Sequence, residues 1–387
     1  MAKLGDICTK ITDGSHNPPA GIGKSEYLML SSKNIEDNNI TYIEPRYLRK
    51  EDFENENRRT QVAAGDLLLT IVGTVGRVAV VKEGMNNICL QRSVAVLKPN
   101  HEIVDSRFLM YQIQGMRKLI EAESRGVAQK GIYLSQVEQL PVTLPDLATQ
   151  RQIAATLDKV TEGITICKQM LSDLDALVKS RFVEMFGDPN NTGRASDNKH
   201  KIGEFCDVTK LAGFEFSEYI NYQDSGEIIM LRGLNCKQGK LVLDNVKYID
   251  KETAHKLPRS RLYKGDILMT YAGTIGDVAI VDEDDKYHLA PNVAKISIAN
   301  KEKVNPIFLV HLFMYSHDYI MTFASQVAQA SINMQKIRDF EYIIPSIEEQ
   351  NEFERFAKEV DKSKSVVQKA LDESQLLFDS LMQKYFG

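Results

Sequence analysis

The sequence predicts an α+β chain. Two mixed α/β domains are expected, separated by two long antiparallel helices that form a coiled coil, the whole being an internal repeat with pseudo-two-fold symmetry. Three observations predict this. Residues 65–81 (GDLLLTIVGTVGRVAVV) return as residues 265–281 (GDILMTYAGTIGDVAIV), with ten of seventeen positions identical. An a/d heptad stripe runs through Ile153, Leu157, Val160, Ile164, Cys167, Leu171, Leu174 and Val178, at steps of four and three. A second, weaker stripe runs through Phe353, Ala357, Val360, Val367, Leu371 and Phe378.

In order along the chain, residues 1–145 form a first block of mostly β signals. Tyr27–Ser31 and Leu67–Val72 read as strands, Val78–Val81 follows the Gly73-Thr74-Val75-Gly76 turn, and Ile88–Leu97 reads as one further strand. Ser106–Ala122 looks helical, and Leu140–Pro145 leaves the block extended, because a proline disfavours helix in the residue before it. Residues 146–187 are the first long helix, with Asp146 as N-cap and Gly187 as C′ glycine. Residues 188–200, rich in Asn, Asp, Gly and Ser, are a linker. The second block, residues 201–345, repeats the first, with Ile228–Leu231, Ile267–Ala272, Val278–Val281 and Leu289–Ile298 as strands and Asn305–Phe323 as helix. Residues 346–387 are the second long helix, opened by Ser346 and Glu349 at capping-box spacing. Lys364 and Ser374 interrupt its stripe. A repeat of two hundred residues means a duplicated domain plus helix, since solenoid repeats are far shorter.

Composition narrows the function classes. At 387 residues with 26% charged and 43% hydrophobic positions, this is a globular chain with room for two cores. It holds no apolar run long enough to cross a membrane as a helix. Its start lacks signal-peptide regions, and its five cysteines form no Cys-x-x-Cys pair, which together suggest reduced thiols in the cytoplasm. The net charge of −5 carries no overall basic footprint. Its distribution is uneven, however: the first block has 18 basic against 17 acidic residues and the second 17 against 19, so a local basic face fits either.

No catalytic constellation emerges. Asn17-Pro18-Pro19 is followed by Ala20, not by the aromatic ring of an amino-methyltransferase loop, and reads as a turn. Gly-Thr-Val-Gly and Gly-Thr-Ile-Gly lack the lysine and helix of a phosphate loop and read as tight turns. No metal-ligand spacing or nucleophile elbow occurs. Two related blocks on paired helices suit binding, such as the reading of two DNA half-sites at a set spacing.

The ordered motifs resemble one family. The Gly-Asp-Leu-Leu-Leu-Thr to Val-Ala-Val-Val stretch is similar to the central motif of target recognition domains in specificity subunits of type I restriction–modification enzymes. Gln150-Arg151-Gln152-Ile153 after Pro145, and Gln350 after Pro345, resemble that family's entry into its helices. Asp13-Gly14-Ser15-His16, continued by Asn17-Pro18-Pro19, is similar to a motif of its first recognition domains. The resemblance spans essentially the whole chain. It implies a non-catalytic subunit that binds a bipartite site on double-stranded DNA, one half per domain. It further implies recruitment of two modification (methyltransferase) subunits and, in systems that cleave, two restriction subunits. S-adenosylmethionine, ATP and magnesium would then be bound by those partners and no cofactor by this chain. The alternatives are the binding subunit of a two-component system whose partner both methylates and cleaves, and a coiled-coil scaffold that does not touch DNA.

Edge chemistry then assigns candidate DNA-binding residues. Arg77 and Arg92 suit guanine, and Gln91, Asn34, Asn235 and Asn292 suit adenine. Lys33, Lys130, Lys237, Ser15 and Ser31 suit phosphates. His16, Gln129, Arg232, Tyr271, Gln329, Ser331 and Asn333 complete the set. The differences between the blocks are expected to carry base choice: Arg77 against Asp277, Gln91-Arg92 against Pro291-Asn292, and Lys130-Gly131 against Ala330-Ser331.

Overall fold

A computed structural model describes residues 2–124, 131–190, 198–325 and 330–387. The chain divides into two compact units, Met1–Lys168 with Gln368–Gly387, and Gln169–Val367. Each long helix therefore contributes one half to each unit, cutting across the domain boundaries that follow the chain.

In the first unit, a four-stranded antiparallel sheet has the order Cys8–Asp13, Val94–Pro99, Leu67–Thr70, Val78–Val80. A three-stranded sheet has Tyr27–Leu30 at its centre, antiparallel to Arg46–Leu48 and parallel to Ile88–Leu90. The alternation along Leu67–Thr70 explains its unbroken apolar character. Leu67 and Leu69 face a core built with Phe108, Leu109, Ile113 and the helix residues Ala154 and Leu157. Leu68 faces the other way, onto Leu30, Ile88 and Leu90 of the three-stranded sheet. A strand covered on both faces has no polar side to show.

The second unit repeats this topology. Its sheets run Cys206–Lys210, Val293–Ile298, Ile267–Thr270, Val278–Ile280 and Lys247–Ile249, Ile228–Leu231, Tyr287–Leu289. Two of the expected strands are corrected here. Ile88–Leu97 turns over at residues 91–93 and passes from one sheet to the other, so it is two strands. In Leu289–Ile298 the same turn comes at residues 290–292, so Leu289 ends the strand Tyr287–Leu289 and only Val293–Ile298 forms the second. The expected helices Ser106–Ala122 and Asn305–Phe323 each break after about three turns, into Ser106–Gly115 and Arg117–Glu123, and into Pro306–Tyr315 and His317–Met321.

The long helices are Leu147–Phe186 and Ile347–Phe386. Asp146 caps the first, its Oδ1 accepting the Thr149 amide (3.0 Å), and Gly187 closes it at φ +80°. Ser346 and Glu349 form the capping box of the second: the Ser346 N–H donates to Glu349 Oε2 (3.0 Å) and the Glu349 N–H to Ser346 Oγ (3.3 Å). Within the second unit the two helices run antiparallel, since Asp175 pairs with Lys364 and, further along the first helix, Arg181 pairs with the earlier Glu352 (3.0 Å). Lys364 thus leaves the apolar stripe because Asp175 answers its charge. The stripe also continues one step beyond Val178 to Phe182, which is fully buried.

His288 and His311 give the second unit an acid-sensitive core. Burial pushes both imidazoles below the ordinary value of 6.5, against the raising effect of nearby carbonyls. Below about pH 6.5 the unfolded chain therefore binds protons that the folded unit refuses, and stability falls as pH drops from there toward the lowered folded values. Urea midpoints measured between about pH 5 and 8 are expected to show this loss. His288→Cys should flatten the slope, since Cys89 holds the matching place in the first unit: Cys89 pairs with Met29 as His288 pairs with Met230.

Candidate nucleic-acid interface

The repeated Gly-Thr-x-Gly stretch is scaffold. Gly73 and Gly76 sit at φ +84° and +92°, and Gly273 and Gly276 at +84° and +88°, a region costly to any residue with a Cβ. Thr70 Oγ1 donates to the Thr74 carbonyl and accepts the Arg77 amide (2.9 Å), and Thr270 does the same with Thr274 and Asp277 (2.9 Å). Strand, threonine clasp and glycine pair form one tight turn, and the aligned Arg77 and Asp277 project from its exit, both half-buried.

Several loops gather beside this turn in the first unit. Ser15 bridges to Gln91, its amide donating to the Leu90 carbonyl (2.7 Å) and its carbonyl accepting the Arg92 amide (2.9 Å). Gly14 permits that crossing, because a Cβ there would lie 2.1 Å from the Leu90 carbonyl oxygen. The Ser32 amide donates to Ser93 Oγ (3.1 Å), tying the Ser31–Asn34 turn to the same place. Val72 bridges to Gly131, which brings in the segment ahead of the helix Leu134–Glu138. Ser15, His16, Gln91 and Arg92 thus converge, with exposed Lys33 on the neighbouring turn, where it pairs with Glu44 (3.4 Å).

A cavity of about 520 Å³ opens among these loops. Its apolar lining comes from Ile71, Val72, Ile132 and Leu134, and its polar lining from Asp13, His16, Arg59 and Arg92. Asp13 is only 7% exposed. It accepts the His16 Nε2–H (2.8 Å) and ion-pairs with Arg59 Nη2 (2.6 Å), while Arg59 Nε donates to Thr12 Oγ1 (2.9 Å). Tyr133, 63% exposed, stands on the rim. Sequence reading passed over Asp13, Arg59 and Tyr133 as candidates. Asp13 opens the Asp13-Gly14-Ser15-His16 motif, but Arg59 sits on a polar helix, Lys50–Thr60, with nothing local to mark it.

Other candidates are corrected. Asn34 and Asn235 are buried and their amides are spent inside the fold. Asn34 accepts from the Ser31 amide (3.0 Å) and donates to the Ile43 carbonyl (2.9 Å). Asn235 accepts from the Arg232 amide (3.0 Å) and donates to the Val242 carbonyl (2.7 Å). Neither has an edge left for adenine, and Ser31, whose amide closes the first turn, is half-buried. Arg232 is half-buried too, and its Nη2 donates to the Asn245 carbonyl (2.8 Å). The pairing of Gln91-Arg92 with Pro291-Asn292 is off by one. Tyr271 donates its amide to the Asn292 carbonyl as Ile71 does to Ser93, and Ala290 donates to Leu231 as Gln91 does to Leu30. Asn292 therefore matches Ser93, and Pro291 matches Arg92. Asn292 is exposed at φ +67°, where asparagine is tolerated, so its identity has a backbone reason.

In the second unit Ala272 bridges to Ser331, half-buried, as Val72 does to Gly131. Exposed Asn333 caps the helix Met334–Arg338 by accepting the Lys336 amide (2.9 Å). Tyr271 is half-buried with Lys210 Nζ 5.4 Å from its ring centre, and Lys237 is exposed. Gln129, Lys130 and Gln329 lie outside the described residues. Among the described residues no group of His, Cys, Asp and Glu is placed to hold a metal ion, and no helix is long and apolar enough to cross a membrane.

The model of the type I restriction modification DNA specificity domain matches residues 2–176 and again 197–373. The specificity subunit of the type I restriction enzyme EcoBI from Escherichia coli is 26% identical over 328 residues, covering 77% of this chain and 68% of that one. A putative type I restriction enzyme MjaX specificity subunit from Methanocaldococcus jannaschii is 23% identical over 372 residues, covering 90% and 85%. The solved S subunit of a type I restriction-modification system from M. genitalium shares the fold, with a TM-score of 0.58 at 12% identity over 100% of this chain and 95% of that chain.

Proposed function

From its membership in the type I restriction–modification DNA specificity family, to which the chain belongs by both halves, we propose that this protein selects the DNA sequence for a methylating complex and carries no catalytic site of its own. Each unit reads one half of a bipartite site. The observation that carries the proposal is the duplication itself. Two units share one scaffold down to the threonine clasp, yet differ at side chains around the turn: Arg77 against Asp277, Asp13 against Lys210, Arg92 against Pro291. A scaffold held constant while its rim changes is suited to reading different bases from the same pose.

The partners follow from that role. Two methyltransferase subunits bring S-adenosylmethionine to adenine, and two restriction subunits, where the system cleaves, bring ATP and magnesium.

The test is reconstitution. Site-specific adenine methylation is expected only when the methyltransferase partner is added, and activity from this chain alone overturns the proposal. Binding to the bipartite site should weaken steeply with salt, by roughly 10³-fold or more between about 50 and 200 mM if six or more phosphates are contacted. Salt-insensitive binding, or none, favours the scaffold reading. Cleavage by the methyltransferase partner itself would point to a two-component system.

A further inference from the structure

We infer that Arg59 is a specificity-determining residue of the first unit, held in reading position by Asp13, and that it takes a hydrogen-bond acceptor edge of the guanine type. This rests on the DNA-reading role proposed above and names residues and chemistry within it.

The argument begins with burial. A carboxylate with 7% exposure needs strong partners, and Asp13 has two cationic or polar ones, the Arg59 guanidinium at 2.6 Å and the His16 imidazole at 2.8 Å. Arg59 is held a second time by Nε donating to Thr12 Oγ1 (2.9 Å), and Thr12 is itself buried. One hydrogen bond to Thr12 and the close ion pair to Asp13, whose Oδ1 has no hydrogen bond of its own, hold the guanidinium in place, while the side chain stays 56% exposed. The Nη1 edge is left over. An arginine that is exposed and yet immobilised is preorganised for a planar acceptor pair, which is the edge guanine presents in the major groove.

Position supports the same role. Arg59 lines the cavity of about 520 Å³ together with Arg92 and Tyr133. It also lines an adjoining recess of about 470 Å³ with Ser15, His16, Asn17, Asn55 and Glu56. It therefore stands where the loops around the Gly-Thr-Val-Gly turn converge. The second unit cannot build this clamp. Lys210 occupies the register of Asp13, opposite Ala294 as Asp13 is opposite Ala95. A lysine there repels an arginine and turns instead toward Tyr271. The clamp is thus a property of one half-site.

The experiment compares adenine methylation across a genome for the full chain assembled with its methyltransferase partner. The chains are wild type, Arg59→Lys, Asp13→Asn, Asp13→Glu and Lys210→Ala. Arg59→Lys keeps the charge and loses the planar fork, so one position of one half-site should lose its base preference by about 5- to 150-fold. Asp13→Asn should relax that same position, and Asp13→Glu should restore part of it. Lys210→Ala should leave that half-site untouched. Melting temperatures of purified Arg59→Lys and wild type should agree, which separates reading from folding. A uniform fall in methylation with the motif unchanged makes Arg59 a phosphate contact and overturns the inference. An unchanged motif at unchanged level overturns it too. Absence of any motif for the wild type overturns instead the DNA-reading role on which it rests.

Discussion

Phe182→Ala is expected to destabilise the second unit by about 3–5 kcal/mol, the range for removing a buried aromatic ring. Phe182 is fully buried. Its ring stacks on Phe308 (5.7 Å, 18°) and meets Phe186, Tyr315 and Phe353 edge-on at 5.0–5.3 Å. Three elements converge there: the end of the first long helix, the start of the second, and the helix Pro306–Tyr315. The matching place in the first unit is packed by Phe378 and Phe386 of the second helix against Tyr111 and Phe108. The loss should therefore be confined to one unit. Urea titration followed by hydrogen exchange is the measurement, with protection falling in peptides of 304–315 and 347–360 and holding in 104–115. Equal loss in both sets would mean that the units do not keep separate cores.

Gln150→Leu and Gln350→Leu are expected to cost about 3 kcal/mol or more each, although both replace a polar residue by an apolar one in a buried place. Both glutamines are fully buried at the first turn of a long helix. Gln150 Oε1 accepts the Asp105 amide (2.9 Å), and its Nε2 donates to the carbonyls of Ile103 (3.0 Å) and Pro145 (2.8 Å). Gln350 repeats this with the Asn305 amide (2.8 Å) and the carbonyls of Lys303 and Pro345 (2.9 Å each). Removing either side chain strands three backbone groups, at about 1–3 kcal/mol per buried group left unpaired. The block would also lose its lock on the helix it leads into. Thermal melting of each variant, with methylation by the assembled complex as a second readout, checks both consequences. A melting point unchanged in both variants would mean that water replaces the amide without loss.

Several features are legible in the sequence itself. The heptad stripe, the Asp146 cap, the Ser346–Glu349 capping box and Gly187 are local patterns, each enforced within a turn or two of helix. The Gly-Thr-x-Gly turn was equally plain, because its clasp joins residues four and seven apart. The two-fold repetition was visible as self-similarity, and with it the equivalence of the blocks. These determined the architecture and, through the order of motifs, the family.

The tertiary structure alone decided the rest. Ile88–Leu97 is one apolar run, and only the presence of two sheets to fill makes it turn at Ser93 and serve both. The loop ahead of that run is one residue shorter in the second unit, 282–286 against 82–87, which moves Asn292 onto Ser93 and undoes the pairing read at constant spacing. Asn34 and Asn235 looked available for adenine, yet sequence carries no record of the Ile43 and Val242 carbonyls that claim them. Asp13 and Arg59 lie 46 positions apart on a strand and a helix with no shared pattern. Their pairing exists because the helix Lys50–Thr60 packs where a buried carboxylate needs a cation, and burial is a property of the folded chain.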